Sequence, residues 1–179
     1  MKHKRSIVVT GASSGIGRHI AETASNNGIE VIGLSRKKIE TNFESIECDV
    51  SDPHAVKSIF KELKRNSGFD CLINTAGIAS MNLFLSTPVE KMEEILKTNV
   101  LGTMYCSQNA LKIFARRKES LHSSIINFST IAVPLSLKGE AVYVASKGAV
   151  EAFSRSLARE ASDFNCNVNV ISPGPIDTN

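Results

Sequence analysis

Ile7-Val8-Val9-Thr10-Gly11-Ala12-Ser13-Ser14-Gly15-Ile16-Gly17 runs from a β-branched stretch straight into a glycine-rich turn. A helical pattern follows at once, with Ile20, Ala21 and Ala24 on one face. Strand, turn and helix start together make a site for an anion. The first backbone N–H groups of a helix lack intrahelical partners, and the helix dipole places partial positive charge there. Glycines permit the sharp turn and let a pyrophosphate approach the backbone closely. The spacing is Thr-Gly-x-x-x-Gly-x-Gly, not Gly-x-Gly-x-x-Gly. Taken alone, such a run also reads as an ordinary turn before a helix.

The 179 residues suit one domain, spanning 1–179, with a sizeable core. Hydrophobic residues make up 42% and charged residues 22%, an ordinary globular mix. A net charge of +3 makes no case for nucleic acid as a partner. Arg116-Arg117-Lys118 reads as a helix C-terminus, where cations suit the dipole, and Lys2-His3-Lys4-Arg5 as a solvated lead-in to the first strand. Cys48, Cys71, Cys106 and Cys166 show no paired spacing and read as small buried hydrophobes in a reducing compartment. His3, His19, His54 and His122 show no metal-ligand spacing. No apolar run has the length of a signal peptide or a membrane span, so the expected location is cytoplasmic, without a membrane partner.

Downstream, Gly28 stops the first helix, and residues 30–35 predict a second strand that runs into Ser35-Arg36-Lys37-Lys38. Residues 43–48 predict a third strand, ending at Asp49-Val50. Asp52-Pro53 opens a helix whose Val56, Ile59, Phe60 and Leu63 have helical spacing. Residues 69–73 predict a buried strand leading into Asn74-Thr75-Ala76-Gly77. Residues 88–118 predict helix in two segments, 124–128 a strand ending at Ser129-Thr130, 142–162 a long helix, and 168–171 a last strand. Strands alternating with helices predict an α/β, doubly wound parallel sheet in three layers, with right-handed crossovers. Ligands of such sheets bind at the carboxyl ends of the strands. That edge collects Gly11, Arg36, Asp49, Asn74, Thr130 and Pro173.

Tyr143-Val144-Ala145-Ser146-Lys147 puts a phenol and an ammonium on one helix face. A free tyrosine titrates near ~10, poorly matched to proton transfer at neutral pH. Lowering it by ~3 units takes roughly 4 kcal/mol, which one cation at about 4 Å supplies in an effective dielectric of 20. Lys147 is therefore expected to poise Tyr143 as a general acid or base. The plain alternative is an ordinary surface pair.

Together with the glycine turn, these residues make the chain similar to the short-chain dehydrogenase/reductase family, in its shorter, single-domain branch. The matches run from Thr10 to Thr178: Thr10-Gly11-x-x-x-Gly15-Ile16-Gly17, Asp49-Val50, Asn74-x-Ala76-Gly77, Asn99, Tyr143 with Lys147, and Pro173-Gly174. Residues 151–160 most resemble 3-oxoacyl-carrier-protein reductases. The resemblance implies a Rossmann fold. Tyr143 would be the catalytic acid/base. Lys147 would also bond the nicotinamide ribose, and Asn99 would hold a water in a proton relay. Gly11, Ser13, Ser14, Gly15, Ile16 and Gly17 would hold the cofactor phosphates. Asp49 and Val50 would contact adenine, and the stretch from Asn74 through Ala76 to Gly77, Thr75 included, would line the adenosine side. Pro173 and Gly174 would also bind the cofactor, and Ile176 and Thr178 would touch its nicotinamide end. A homodimer or homotetramer packed through the two long helices is also implied; Ala141, Ala145, Ala149 and Ala152 permit close approach, or are simply helix formers.

One position departs from the family pattern. The substrate-orienting serine usually lies thirteen residues before the tyrosine, and here that spacing lands on Thr130 within Asn127-Phe128-Ser129-Thr130. Threonine offers the same hydroxyl on a stiffer side chain, so Thr130 is the expected orienting group, with Ser129 the alternative. Val133 replaces a glycine common in this loop and is expected to narrow the substrate pocket. Cofactor choice rests on the end of the second strand. A carboxylate there bonds the ribose 2′-OH of NAD, whereas an arginine accommodates a 2′-phosphate. Ser35-Arg36-Lys37 has no acid, which predicts NADP(H) in preference to NAD(H). The family continues past the sixth strand into a substrate lid, a helix and a seventh strand, so those parts are expected to be missing, with an exposed sheet edge. Residues 78–87 and 133–142 are expected to line the mouth of the site with few charges; Leu83, Phe84, Leu85, Val133, Pro134 and Leu135 suit a hydrophobic carbonyl or alcohol, or are loop residues packing on their neighbours. The expected function is an NADP(H)-dependent oxidoreductase. A non-catalytic nucleotide-binding protein and an NAD-using isomerase or dehydratase are the alternatives.

Overall fold

Val8, Val9, Leu34, Leu72 and Ile125 expose no surface at all. Strands carrying them have no polar face to turn to water and lie inside a parallel sheet. The computed structural model describes residues 5–65, 68–117 and 121–177. Within them, β1 (Ser6–Thr10), β2 (Glu30–Ser35), β3 (Glu44–Glu47), β4 (Cys71–Asn74), β5 (Ser123–Phe128) and β6 (Cys166–Ile171) form one sheet of order β3-β2-β1-β4-β5-β6. Every neighbouring pair is parallel. This is the doubly wound dinucleotide order, with its switch point between β1 and β4.

The helices are α1 (Gly15–Asn26), α2 (Pro53–Arg65), α3 (Val89–Leu96), α4 (Thr103–Phe114), α5 (Ala132–Leu135) and α6 (Ala141–Ala161). Alternate strand residues face opposite layers. Val8, Leu72 and Ile125 join Val56 and Phe60 of α2, Ala110 and Phe114 of α4, and Leu157 and Ala161 of α6. Their neighbours Val9 and Ile73 pack with Ile20, Ala21 and Ala24 of α1 on the opposite face. Phe69 bridges α2 and α4 edge-on, 5.8 Å from Phe60 and 5.2 Å from Phe114 between ring centroids. At the far end of β5, β6 forms an edge with Asn167, Asn169 and Ile171 exposed.

The predicted elements are all present, with shifted ends. β3 is one residue shorter at each end than 43–48, and β6 begins at Cys166 because Asn165 takes a left-handed turn (φ 52°) just before it. Asp52 caps α2 by accepting the His54 N–H at 2.8 Å, as its position before Pro53 suggested. Residues 88–118 do not form two separate helices. α3 passes into α4 through one π-helical turn, Lys97–Gly102. A short 3-10 turn, Phe84–Ser86, and α5 fall in stretches read as loop. Arg117 does more than complement a helix dipole. Its guanidinium lies 2.8 Å from the Asp70 carboxylate, whose other oxygen accepts the Ser6 N–H. This pair ties the end of α4 to the starts of β1 and β4. All four cysteines are free thiols. Lys2, His3, Lys4, Lys118 and Thr178 lie outside the described residues.

The glycine turn is held by contact of backbone on backbone. Gly11 has φ +70°, and a Cβ on it would lie 2.8 Å from both Cα and N of Ala76. A Cβ on Gly17 would strike the Thr75 hydroxyl and lie 2.5 Å from the Gly11 carbonyl oxygen. Alanine within a helix normally stabilises by about 1 kcal/mol over glycine. At position 17 the collision reverses that sign. Gly17→Ala is expected to lower the free energy of unfolding by about 1–3 kcal/mol, the usual cost of overpacking, seen as a lower urea midpoint at unchanged slope.

Candidate active site

The turn after β1 is locked to both neighbouring strands. Gly11 and Ala12 donate their N–H groups to the Leu34 carbonyl at 2.8 and 3.2 Å. The Ala76 N–H donates to the Thr10 hydroxyl at 3.2 Å, and the Thr75 hydroxyl donates to the Thr10 carbonyl. α1 then starts at Gly15 with no side-chain cap on Ser14 and no acid in its first turn, so its leading N–H groups stay available for an anion. A groove of about 400 Å³ runs below this helix start. Ser13 to Gly17 form one wall, and Ser35, Arg36, Asp49 and Val50 another. Thr75, Ala76 and Gly77 line the side toward β4.

The far wall is shaped by short hydrogen bonds. Ser35 is buried, and its hydroxyl donates to the Lys37 carbonyl at 2.7 Å. This turn leaves Arg36 exposed at the groove. Asp49 accepts the Ser51 N–H at 2.9 Å. Gly102 of the π-helical turn lies against Val50, where a Cβ would be 2.9 Å from a Val50 methyl and 3.1 Å from its carbonyl oxygen.

A second cavity, about 220 Å³, joins the groove and shares Ile16, Thr75, Gly77 and Ile78 with it. Thr130, Tyr143, Lys147, Pro173 and Gly174 line it. Lys147 is only 6% exposed. Its Nζ donates to the Phe128 carbonyl at 2.8 Å and lies 3.5 Å from where a Cβ on Gly77 would sit. Burial without a carboxylate partner brings its pKa down to about 8. The Tyr143 phenol is pushed up by burial; the Thr130 hydroxyl bonded to it pulls down, and the Glu140 carboxylate pushes up. The direction is opposite to that expected from the Tyr-x-x-x-Lys spacing. The physical reason is burial of the phenol itself, which outweighs the Thr130 hydrogen bond, while the ammonium is turned to the Phe128 carbonyl.

Thr130 and Ser129 are distinguished by their partners. The Thr130 hydroxyl accepts the Ala132 N–H at 3.2 Å and reaches Tyr143. The Ser129 hydroxyl donates to Glu151 Oε1 at 2.7 Å. Asn99 sits in the π-helical turn, an irregularity often found at functional positions. Its Oδ1 accepts the Ile78 N–H at 2.8 Å, and its Nδ2 donates to the Ile78 carbonyl at 2.9 Å and to Ser146 Oγ at 3.0 Å. Both amide hydrogens are committed, so only oxygen lone pairs remain for a relay water.

Other residues lie apart from the expected contacts. Asn74 is buried beneath the groove, donating to Ser107 Oγ at 3.1 Å and Asn127 Oδ1 at 2.8 Å, while its own Oδ1 is unpartnered. Ile176 lines neither groove nor second cavity but a separate pocket against Ser13, Ser14 and Arg18. Val133 does not narrow the cavity. It lies in α5 with a methyl 4.0 Å from where a Cβ on Gly148 would be, and it is absent from the cavity lining. Thr75, within the Asn74-to-Gly77 stretch, and Ile78, at the start of the 78–87 loop, line the groove as those stretches suggested, and Thr98 of the π-helical turn lines it with no signal in the sequence. Among the described residues no helix is long and apolar enough to cross a membrane, and no group of three or more His, Cys, Asp and Glu side chains could hold a metal ion.

The family model described as short chain dehydrogenase matches residues 5–179. The chain is 32% identical over 181 residues to the 3-oxoacyl-(acyl-carrier-protein) reductase FabG of Escherichia coli, covering 96% of this chain and 73% of that protein. It is 34% identical over 180 residues to a 3-oxoacyl-(acyl-carrier-protein) reductase of Bos taurus, covering 95% and 75%. Among solved structures, the ligand-free aldohexose dehydrogenase of Thermoplasma acidophilum superposes with a TM-score of 0.91 at 32% identity, over 98% of this chain and 68% of that one. ElxO with NADP bound gives 0.89 at 29% identity, over 98% and 75%.

The lysine pKa sets a pH dependence. Between about 8 and the ordinary value of 10.5, the unfolded chain holds the Lys147 proton that the folded chain has released. Stability from this group therefore rises with pH across that window. Wild type is expected to gain on Lys147→Met by about 2–3 kcal/mol from pH 8 to above 10, at about 1.4 kcal/mol per unit, measured by urea unfolding at each pH.

Proposed function

The chain belongs to the short-chain dehydrogenase family, and from that premise we propose that it is an NADP(H)-dependent oxidoreductase interconverting a carbonyl and an alcohol. One observation carries the reading: Thr130, Tyr143 and Lys147 converge on a cavity that opens into the groove under the glycine turn.

The groove residues fit a dinucleotide. Gly11 and Gly17 leave no Cβ between the turn and the strand exits, and the free N–H groups at the start of α1 suit a pyrophosphate. Arg36 stands where a 2′-phosphate would lie, with no carboxylate at the end of β2 to favour a 2′-hydroxyl. That ElxO was solved with NADP supports the same choice. When bound, the nicotinamide would supply the hydride and, in its oxidised form, a positive ring beside the phenol.

The side chains of this chain manage the proton. Tyr143 gives its phenolic proton to the substrate oxygen in reduction and recovers it in oxidation. Thr130 holds that oxygen beside the phenol. Lys147 offsets the phenolate charge, and the Phe128 carbonyl fixes where the ammonium sits. Asn99 clamps Ile78, so the backbone between groove and cavity cannot drift. The segments leaving the cavity carry exposed Leu83, Phe84 and Leu85 on one side, and Leu135 and Leu137 on the other. They favour a substrate with an apolar chain next to its carbonyl, in line with the 3-oxoacyl-(acyl-carrier-protein) reductases among the relatives.

The test is NADPH oxidation over a panel of carbonyls, with wild type and Tyr143→Phe side by side. The variant is expected to lose about 10²–10⁴-fold in kcat, the usual worth of a positioned acid, while binding NADPH as wild type does. No turnover by wild type on any carbonyl of the panel removes the proposal. Arg36→Ala should weaken NADPH about 10–100-fold, the worth of a charge-assisted pair, and leave NADH unchanged. Equal binding of NADH and NADPH by wild type removes the role given to Arg36.

A further inference from the structure

We propose that Glu151 is a positioning residue: by anchoring Ser129 it holds the end of β5 on α6 and so aims the Thr130 hydroxyl at Tyr143. Its effect on turnover depends on the reading of Tyr143 above; its effect on the phenol itself does not.

Three consecutive residues at the end of β5 are each bonded to α6, by three different groups. Asn127 Nδ2 donates to Ser154 Oγ at 2.8 Å. Lys147 Nζ donates to the Phe128 carbonyl at 2.8 Å. Ser129 Oγ donates to Glu151 Oε1 at 2.7 Å. Lys147, Glu151 and Ser154 follow one another at helical spacing, so a single face of α6 reads three residues of a strand end. Thr130 is the next residue along. The main chain around it is also held, by the Ser129 N–H on the Ile171 carbonyl at 2.8 Å and the Ile131 N–H on the Pro173 carbonyl at 3.1 Å, and the Glu151 bond adds the side-chain tie of residue 129 to α6.

The Glu151 contact is the strong member of this set for Ser129. A hydroxyl bonded to a carboxylate is charge-assisted, roughly twice the strength of a neutral pair. Ser129 is 3% exposed, so a lost acceptor leaves a buried hydroxyl unsatisfied. The outward partner of Glu151 is weak by comparison: Arg155 lies 3.7 Å away with its side chain 70% exposed. The carboxylate therefore acts mainly inward, on the strand end that carries the site.

The phenol reports the alignment, and the sign of its shift separates an effect through Thr130 from a direct effect of the Glu151 charge. The Thr130 hydroxyl holds the Tyr143 pKa down, so a misdirected Thr130 raises it. Simple removal of a nearby negative charge would lower it. Lys147 on the same helix and Glu140 just before it stay in place in every variant.

The chain has no Trp and two Tyr, so tyrosinate absorbance in the ultraviolet, with the Tyr143→Phe curve subtracted, follows Tyr143 alone. Glu151→Ala and Ser129→Ala should both raise its midpoint, in the direction of Thr130→Val and by less. Glu151→Gln, whose amide oxygen still accepts, should stay with wild type. In turnover, Glu151→Ala should lower kcat about tenfold, the worth of one hydrogen bond, without moving the KM for NADPH, and Gln should restore most of the loss. If Glu151→Ala does not fold, Ser129→Ala breaks the same bond from the smaller side. The proposal is overturned if the Ala variants titrate with wild type or below it, or if Thr130→Val leaves the midpoint where it was. If the Ala variants raise the midpoint but wild type reduces no carbonyl, Glu151 keeps its positioning role and the oxidoreductase reading falls alone.

Discussion

The site depends on two pieces of main chain lying closer together than side chains would allow. The turn after β1 presses on the chain leaving β4, with Gly11 against Ala76 and Gly17 beneath Thr75. Any Cβ at either glycine would hold the two strand exits apart. With that gap closed, the Thr10 hydroxyl and carbonyl pair with Ala76 and Thr75. The Gly11 and Ala12 N–H groups turn to the Leu34 carbonyl of β2. Three strand ends are thus fastened at one point, and α1 can leave only in the direction that points its N-terminus along the groove. The uncapped N–H groups at the start of α1 owe their direction to close packing of backbone, with no charged side chain needed to aim them.

What the sequence disclosed divides along the range of the interactions involved. The glycine turn, the Asp52 cap and the alternation of buried strands are set by residues within a few positions of one another, and these were legible. Longer-range contacts were not. Residues 97–102 read as plain helix; their π-helical turn goes with Asn99 clamping Ile78 and Gly102 lying on Val50, both remote in sequence. The spacing that matched Tyr143 to Thr130 said nothing about Ser129, whose hydroxyl is claimed by Glu151. Asn74 sits next to groove residues in the chain, yet the two-residue period of its strand turns the side chain inward onto Asn127 and Ser107. Tyr143 and Lys147 share a helix face as read, but where an ammonium points depends on the nearest good acceptor, which lies on β5.

That acceptor is a carbonyl, and the choice has consequences for the charge of the site. A carboxylate beside Lys147 would neutralise it within the protein. The Phe128 carbonyl satisfies one N–H of the ammonium and leaves its net charge uncompensated, at the cost of a lowered pKa. With a pKa of about 8 the group is still largely charged at neutral pH. Positive potential therefore occurs at three places along one path: Arg36 at the end of β2, the start of α1, and Lys147 beside Tyr143. Opposing charges are present too: Asp49, whose carboxylate accepts the Ser51 N–H, and Glu94 line the groove, and Glu140 acts on Tyr143. An elongated anion laid along this path meets favourable potential at both ends and in the middle, which fixes its placement more tightly than one strong contact would. The ammonium that forms one end of the path also holds the Phe128 carbonyl. One ammonium thus both charges the wall of the second cavity and holds the strand end that carries Thr130.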